Sequence, residues 1–174
     1  MSRVAVVLPG RAYPAAAPAL STVSDVAARH GYDVRAVEWT LDAVPDDPAG
    51  FVVARLIEAA PDGVDLIIAK SLGSWAAAWA AAQRTPAVWV TPVLTEPLVA
   101  AGIGANSALQ LVLAGLADPF HDTAIAAGLD CDLCELPGVD HALSATGDGI
   151  VAPDILGRLA DATDAFLRRS AWQE

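Results

Sequence analysis

Three side chains remote from one another in the chain, Ser71, Asp118 and His141, are of the types that together carry out acyl transfer. A free serine hydroxyl is a poor nucleophile at neutral pH, and a neutral imidazole within hydrogen-bond reach removes its proton during attack. A carboxylate on the other ring nitrogen holds the tautomer and stabilises the imidazolium that forms. Each of the three follows a short apolar run: Ser71 follows VDLIIA, Asp118 follows LQLVLAG and His141 follows CDLCEL. The residues around the serine read A-K-S-L-G, small at the second position on either side. A strand that turns sharply into a helix at a serine needs such small neighbours, because larger side chains would collide there. In that turn the N–H of Leu72 is one expected oxyanion donor, and an N–H of Arg11 or Ala12, after the first apolar run, is the other. Gly10 lets that loop come close, and Arg11 and Tyr13 are expected to line the substrate pocket.

Other residues compete for these roles. His30 sits at a helix end before Gly31, where a cation suits the helix dipole, and reads as structural. His121 is expected on the surface at the start of a helix. Asp118 precedes Pro119 and could serve as a helix cap. Asp122 lies one turn further on and reads as solvated, and Asp140 beside His141 reads as exposed. Lys70 adjoins Ser71, but neighbouring residues at a strand end point to opposite sides, which favours a structural role over a Ser–Lys pair. Cys131 and Cys134 form C-x-x-C on an expected strand with no second ligand pair, so neither a redox motif nor a zinc site follows. The glycines of GIGANS (102–107) follow a short helix rather than a strand, which argues against a dinucleotide loop. Trp75 and Trp79, four apart, suit core packing or an interface better than a substrate platform.

The elements that must position these groups alternate along the chain. Strands are expected over 3–8, 33–39, 64–69, 87–93, 109–115 and 131–136, as short apolar or alternating runs bounded by Gly, Pro or polar residues. Helices are expected over 17–30, 47–60 (with Asp46 or Asp47 as cap), 72–84, 96–101 (ended by Gly102), 119–127 and 154–170 (with Asp154 as cap). The last is amphipathic at Ile155, Leu156, Leu159, Ala162 and Phe166. This alternation predicts a three-layer α/β/α protein around a mostly parallel six-stranded sheet of order 2-1-3-4-5-6. No linker and no repeat divides the chain, so residues 1–174 read as one domain. In such a sheet, ligands gather beyond the carboxyl ends of the strands, where the serine, aspartate and histidine all fall.

Composition narrows the partners. The chain has 174 residues, 55% of them hydrophobic and only 18% charged, which is a folding composition and not a disordered one. Ten basic against twenty-one acidic side chains give a net charge of −11. That balance disfavours nucleic acid and anionic membranes as partners. The apolar run at 4–8 is cut by Pro9-Gly10 and is too short for a signal-peptide core, while 97–117 carries too many glycines and polar residues for a membrane span. With only two cysteines the chain reads as cytoplasmic. The oligomeric state stays open, a homodimer included.

The segments LPGRAYP (8–14), IIAKSLGSWAA (67–77), LAGLADPFHD (113–122) and LPGVDHAL (136–143), in this order and spacing, resemble those of small capless α/β-hydrolase-fold proteins. The resemblance covers most of the chain. It implies a minimal version of that fold, beginning at the family's third strand and without a lid. It further implies Ser71 as nucleophile, Asp118 as acid and His141 as base, with hydrolysis of a small carboxylic ester, no metal and no organic cofactor. Ala69 stands where the family has glycine, and Pro9 where many relatives have histidine. Without a lid the pocket should be open and shallow, favouring small or protruding esters. Activity should fall on acidification, because a protonated His141 cannot act as base. The alternatives are a non-catalytic binding protein on the same fold and a thioester, amide or carbon–carbon hydrolase using the same three residues.

Overall fold

The computed structural model describes residues 3–170; the single-domain expectation extends at both ends beyond them, to 1–2 and 171–174. Six strands form one sheet in which every pairing is parallel: β1 (Arg3–Leu8), β2 (Tyr32–Ala36), β3 (Leu66–Lys70), β4 (Ala87–Val90), β5 (Gln110–Gly115) and β6 (Asp132–Leu136). Their order is β2-β1-β3-β4-β5-β6, as the alternation of runs predicts. The helices are α1 (Pro18–Arg29), α2 (Pro48–Ala59), α3 (Ala77–Gln83), α4 (Pro97–Ala105), α5 (Thr123–Ala127) and α6 (Pro153–Ser170), with a 3₁₀ helix over Ser71–Ala76. Among the described residues no helix is long and apolar enough to cross a membrane.

The two-residue period of the strands sorts their side chains into two cores. Ala5, Val7, Leu66, Ile68, Val88, Val90, Leu111 and Leu113 face the layer of α1 and α6. Val6, Leu8, Ile67, Ala69, Ala87, Trp89, Val112 and Ala114 face α2, the 3₁₀ helix, α3 and α4. Burial on both faces explains why the central strands read as nearly continuous apolar runs. Helix α6 inserts Ile155, Leu159 and Phe166 into the first core, as its amphipathic pattern requires. His30 ties α1 to α6 through Asp164, at 2.8 Å from Nε2 to Oδ1, a structural role.

Several boundaries move. Helix α4 does not stop at Gly102 but runs through it to Ala105. A Cβ at position 102 would lie 2.6 Å from the backbone nitrogen of Ala78, so this glycine lets α3 and α4 pack closely and does not end the helix. The GIGANS segment is therefore mostly helix, in agreement with its failure as a dinucleotide loop. Helix α5 begins at Thr123, not 119, because the Asp122 carboxylate caps it by accepting from the N–H groups of Ala124 and Ile125. Asp47 is the cap of α2, accepting from Gly50 N–H at 2.9 Å. Asp154 lies inside the first turn of α6.

Candidate active site

Strand β3 ends at Lys70, and Ser71 follows at φ 50°, a left-handed conformation that a residue with a Cβ rarely adopts. Holding it there costs on the order of 1–3 kcal/mol, and such strain persists only where the surroundings over-determine it. Here the surroundings are tight. A Cβ on Gly73 would come within 2.6 Å of the Leu8 carbonyl oxygen, so the turn rests directly on the end of β1. The Ser71 carbonyl accepts from Ser74 Oγ at 2.5 Å, and that hydroxyl in turn accepts from Val93 N–H. The chain then continues as a 3₁₀ helix before becoming α3, where one continuous helix is expected over 72–84.

Across the sheet, β5 ends at Gly115 and β6 at Leu136, and their extensions stay paired. Leu116 N–H donates to Leu136 O and Ala117 N–H to Val139 O, both at 2.9 Å. A Cβ at Gly115 would sit 2.0 Å from Val139 O, so only glycine allows the segment before His141 to lie against the segment before Asp118. Asp140 Oδ1 accepts from the N–H groups of Ala142 and Ser144, and Leu143, at φ 62°, is fully buried. The loop carrying His141 is thus folded on its own aspartate and pinned by a core leucine. Asp140 is partly buried, not exposed as its position beside His141 suggests.

The two arms meet. His141 Nε2 lies 2.8 Å from Ser71 Oγ, and His141 Nδ1 lies 2.7 Å from Asp118 Oδ2. The Asp118 side chain is fully shielded from solvent, and its other oxygen accepts from Phe120 N–H at 2.8 Å. Phe120 turns its ring edge-on to His141, with centroids 4.8 Å apart. A cavity of about 620 Å³ opens over Ser71 and His141. Arg11, Ala12, Tyr13 and Leu72, the residues expected for the oxyanion and pocket roles, are among those that line it, together with Trp75, Val44 and Phe120. The loop after β1 is set by Gly10, whose N–H donates to Tyr13 O and whose carbonyl accepts from Trp39 Nε1 at 2.9 Å. Tyr13 is held by its own hydroxyl, which accepts from Ala19 N–H, and burial pushes its phenol upward. Arg11 is exposed at the rim, where its guanidinium donates to Asp42 O.

Some residues stand differently from the sequence expectation. The His121 side chain is buried, not on the surface; its Nε2 lies 2.7 Å from Glu135 Oε1 on β6. Its Nδ1 is enclosed with no hydrogen-bond partner among the described residues. Trp75 and Trp79 both pack against the second core, but Trp75 also reaches the cavity wall. Cys131 packs toward the second core and Cys134 toward the first, on opposite faces of the sheet, and both thiols are free. Burial, with Asp132 and Asp130 nearby, pushes the Cys131 thiol up to about 11, the reverse of a reactive cysteine. Sequence reasoning missed Gly115, Phe120 and the reach of Lys70. The side chain of Lys70 is directed away from the 3₁₀ helix, and its Nζ donates to Thr91 Oγ1 at 2.6 Å and to His141 O at 2.8 Å.

No family model matches the chain, and no curated protein matches it. Solved structures do. Est1E from Butyrivibrio proteoclasticus is similar with a TM-score of 0.76 at 11% identity, over 98% of this chain and 89% of that one. A provisionally assigned hydrolase of the alpha/beta superfamily from Xanthomonas campestris pv. campestris gives 0.70 at 20% identity, over 97% and 99%. The esterase domain of a Rhodothermus marinus protein gives 0.65 at 14%, over 98% and 85%. The chain has the α/β-hydrolase fold.

Proposed function

We propose that the protein is a serine hydrolase that cleaves a small carboxylic ester through an acyl-enzyme. One observation carries this reading: the unbroken hydrogen-bonded line from Ser71 Oγ through the His141 ring to Asp118. Ser71 Oγ bonds to the ester carbonyl carbon while its proton passes to His141 Nε2. The carbonyl oxygen becomes an oxyanion, received by the N–H of Leu72 and one N–H from Arg11 or Ala12. The carbon–oxygen bond to the leaving alcohol breaks, and His141 returns the proton to that alcohol. Water, deprotonated by His141, then attacks the acyl carbon, releasing the acid and restoring Ser71. Asp118 stays ionised throughout, holding the ring tautomer and balancing the imidazolium.

The solved structures of the same fold include esterases, which supports hydrolysis as the reaction class. The cavity supports a small ester with an apolar arm, since Val44, Trp75 and Phe120 offer apolar surface beside Ser71. Cys131 and Cys134 lie on opposite faces of the sheet, so among the described residues the fold uses no disulfide, as suits a reducing compartment such as the cytoplasm. A fluorophosphonate probe tests the reading. Wild type should be labelled and Ser71→Ala should not. An ester chain-length panel should then favour short acyl groups over long ones. Folded wild type that resists the probe would instead mean a binding protein, and turnover confined to thioesters or amides would redirect the substrate class.

A further inference from the structure

Strand parity sends Lys70 to the same side of the sheet as Ile68, and there its four-carbon stem is fully covered. Burying an ammonium costs several kcal/mol, and an apolar side chain of similar volume is often as stable or more so. Packing alone therefore gives no reason for a lysine. Its surroundings do. One N–H donates to Thr91 Oγ1, just past the end of β4, and one to the carbonyl of His141 itself. The ammonium lies 4.7 Å from the centre of the Tyr13 ring, a cation–π contact. The charged and titratable groups that face it are Tyr13 after β1, Asp118 after β5, and Asp140 and His141 after β6. Arg11 and Glu96 line the outer part of the same cavity. Thr91, at φ 42°, is itself held in a left-handed conformation by its N–H bond to Leu113 O.

We propose that Lys70 is a positioning residue: its buried ammonium fastens the His141 backbone to the carboxyl ends of β3 and β4, and its charge balances Asp118 and Asp140. The Ser71 hydroxyl and the His141 ring are then held from two consecutive residues of one strand end, each working on its own side of the sheet. Burial lowers the lysine to about 8, against the opposing pull of Asp118 and Asp140, so the tether weakens within an accessible pH range. A neutral amine keeps two N–H groups and loses the charge that both carboxylates face.

The effect on rate rests on the serine-hydrolase reading; the effect on the His141 ring does not. Fluorophosphonate labelling rates of wild type, Lys70→Met and Thr91→Val, followed from about pH 5 to about pH 10, test the first. Lys70→Met should label roughly 10- to 100-fold more slowly, the range a misplaced catalytic group produces. Its acidic limb should move to higher pH, because Asp118 then acts on the ring with no ammonium opposing it. Thr91→Val keeps the charge and should label only a few-fold more slowly, with the acidic limb unmoved. Wild type should slow above about pH 8, and Lys70→Met should lack that break. Wild-type rates and limbs in both variants would overturn the proposal. If Lys70→Met fails to fold, Thr91→Val and the wild-type alkaline break decide it. If wild type does not label at all, the hydrolase reading fails, and an NMR titration of the His141 ring in wild type and Lys70→Met decides the positioning role alone. Coincident ring titrations would refute it.

Discussion

Two buried polar networks sit at opposite ends of the same strands, and they are built differently. Around Gln110, which begins β5, Trp89 Nε1 from the neighbouring β4 donates to Gln110 Oε1, and Gln110 Nε2 donates to the carbonyls of Ile103 and Asn106. Asn106 closes the set, donating to Thr85 O and accepting from Ala108 N–H. Every member is neutral, and the donors and acceptors match. At the carboxyl ends, Lys70, Thr91, His141, Asp118 and Ser71 are joined in a network that carries charge of both signs. Its backbone is strained at Ser71, Thr91 and Leu143, and a cavity opens onto it. Arg84, a left-handed non-glycine residue at the other end, finishes α3 at the surface. Satisfied neutral networks rigidify a core, whereas strain, charge and access cluster where chemistry is done. One sheet thus carries its matched neutral network toward its amino ends and its charged, strained and accessible one at its carboxyl ends, where the proposed reaction would run.

The sharpest way to break this contrast is to remove reactivity without touching stability. Ser71→Ala should abolish probe labelling and lower ester turnover by roughly 10⁶-fold, the loss typical of a missing nucleophile. Its thermal unfolding should match or slightly exceed wild type, since alanine loses no buried hydrogen bond of the core. Asp118→Asn should cost about 10⁴-fold in kcat with labelling slowed in parallel, because the amide can hold the ring in the wrong tautomer. Unchanged turnover in Asp118→Asn would remove the carboxylate from the mechanism and leave it as the cap of Phe120.

The charged end should also leave a signature in stability against pH. The buried Lys70 titrates near 8 in the folded protein against an ordinary value of 10.5. Between these values the unfolded chain holds the proton that the folded one has lost, so the unfolding free energy contributed by this group rises with pH across that window. The rise is on the order of 3–4 kcal/mol. Cys131 works against it: its thiol is raised from 9.0 to about 11 by burial, so its contribution falls as pH climbs through that range. Subtracting the unfolding curve of Lys70→Met from that of wild type isolates the lysine. The difference should climb from about pH 8 to pH 10.5; a flat difference would mean that the ammonium stays charged in the fold.

Much of this contrast is legible in the residues, and what is not has a common cause. Strand order follows from six apolar runs alternating with helix-length segments, and the meeting of Ser71, Asp118 and His141 at one rim follows because each comes just after a run. A strand end is a place in the fold that local pattern can mark. The misread features depend on what remote segments bring to a position. Thr91 reads as the interior of a strand over 87–93, yet β4 ends at Val90 and Thr91 turns to meet a lysine twenty-one residues earlier. Gly102 reads as a stop signal until α3 packs against it. His121 reads as a surface residue until Glu135 of the neighbouring strand takes its ring. Gly115 has no local reason to be glycine; the reason is the carbonyl of Val139. Parity did anticipate that Lys70 points away from Ser71, but direction alone could not say what it would reach.

The smallest change in turnover should come from the other end of the sheet. Gln110→Leu removes the acceptor of Trp89 Nε1 and the donor to Ile103 and Asn106 while roughly conserving volume. The indole N–H is then buried without a partner, since Trp89 is fully covered. Leaving such a donor unsatisfied costs about 1–3 kcal/mol, so the midpoint of unfolding should drop by several degrees for a chain of this length. Labelling per folded molecule should stay within about twofold of wild type, because neither Ser71 nor His141 touches this network and independent sites add. Loss of labelling in step with loss of stability would mean that the two ends of β4 and β5 are coupled through the strands, and the division between a stabilising end and a reactive end would have to be given up.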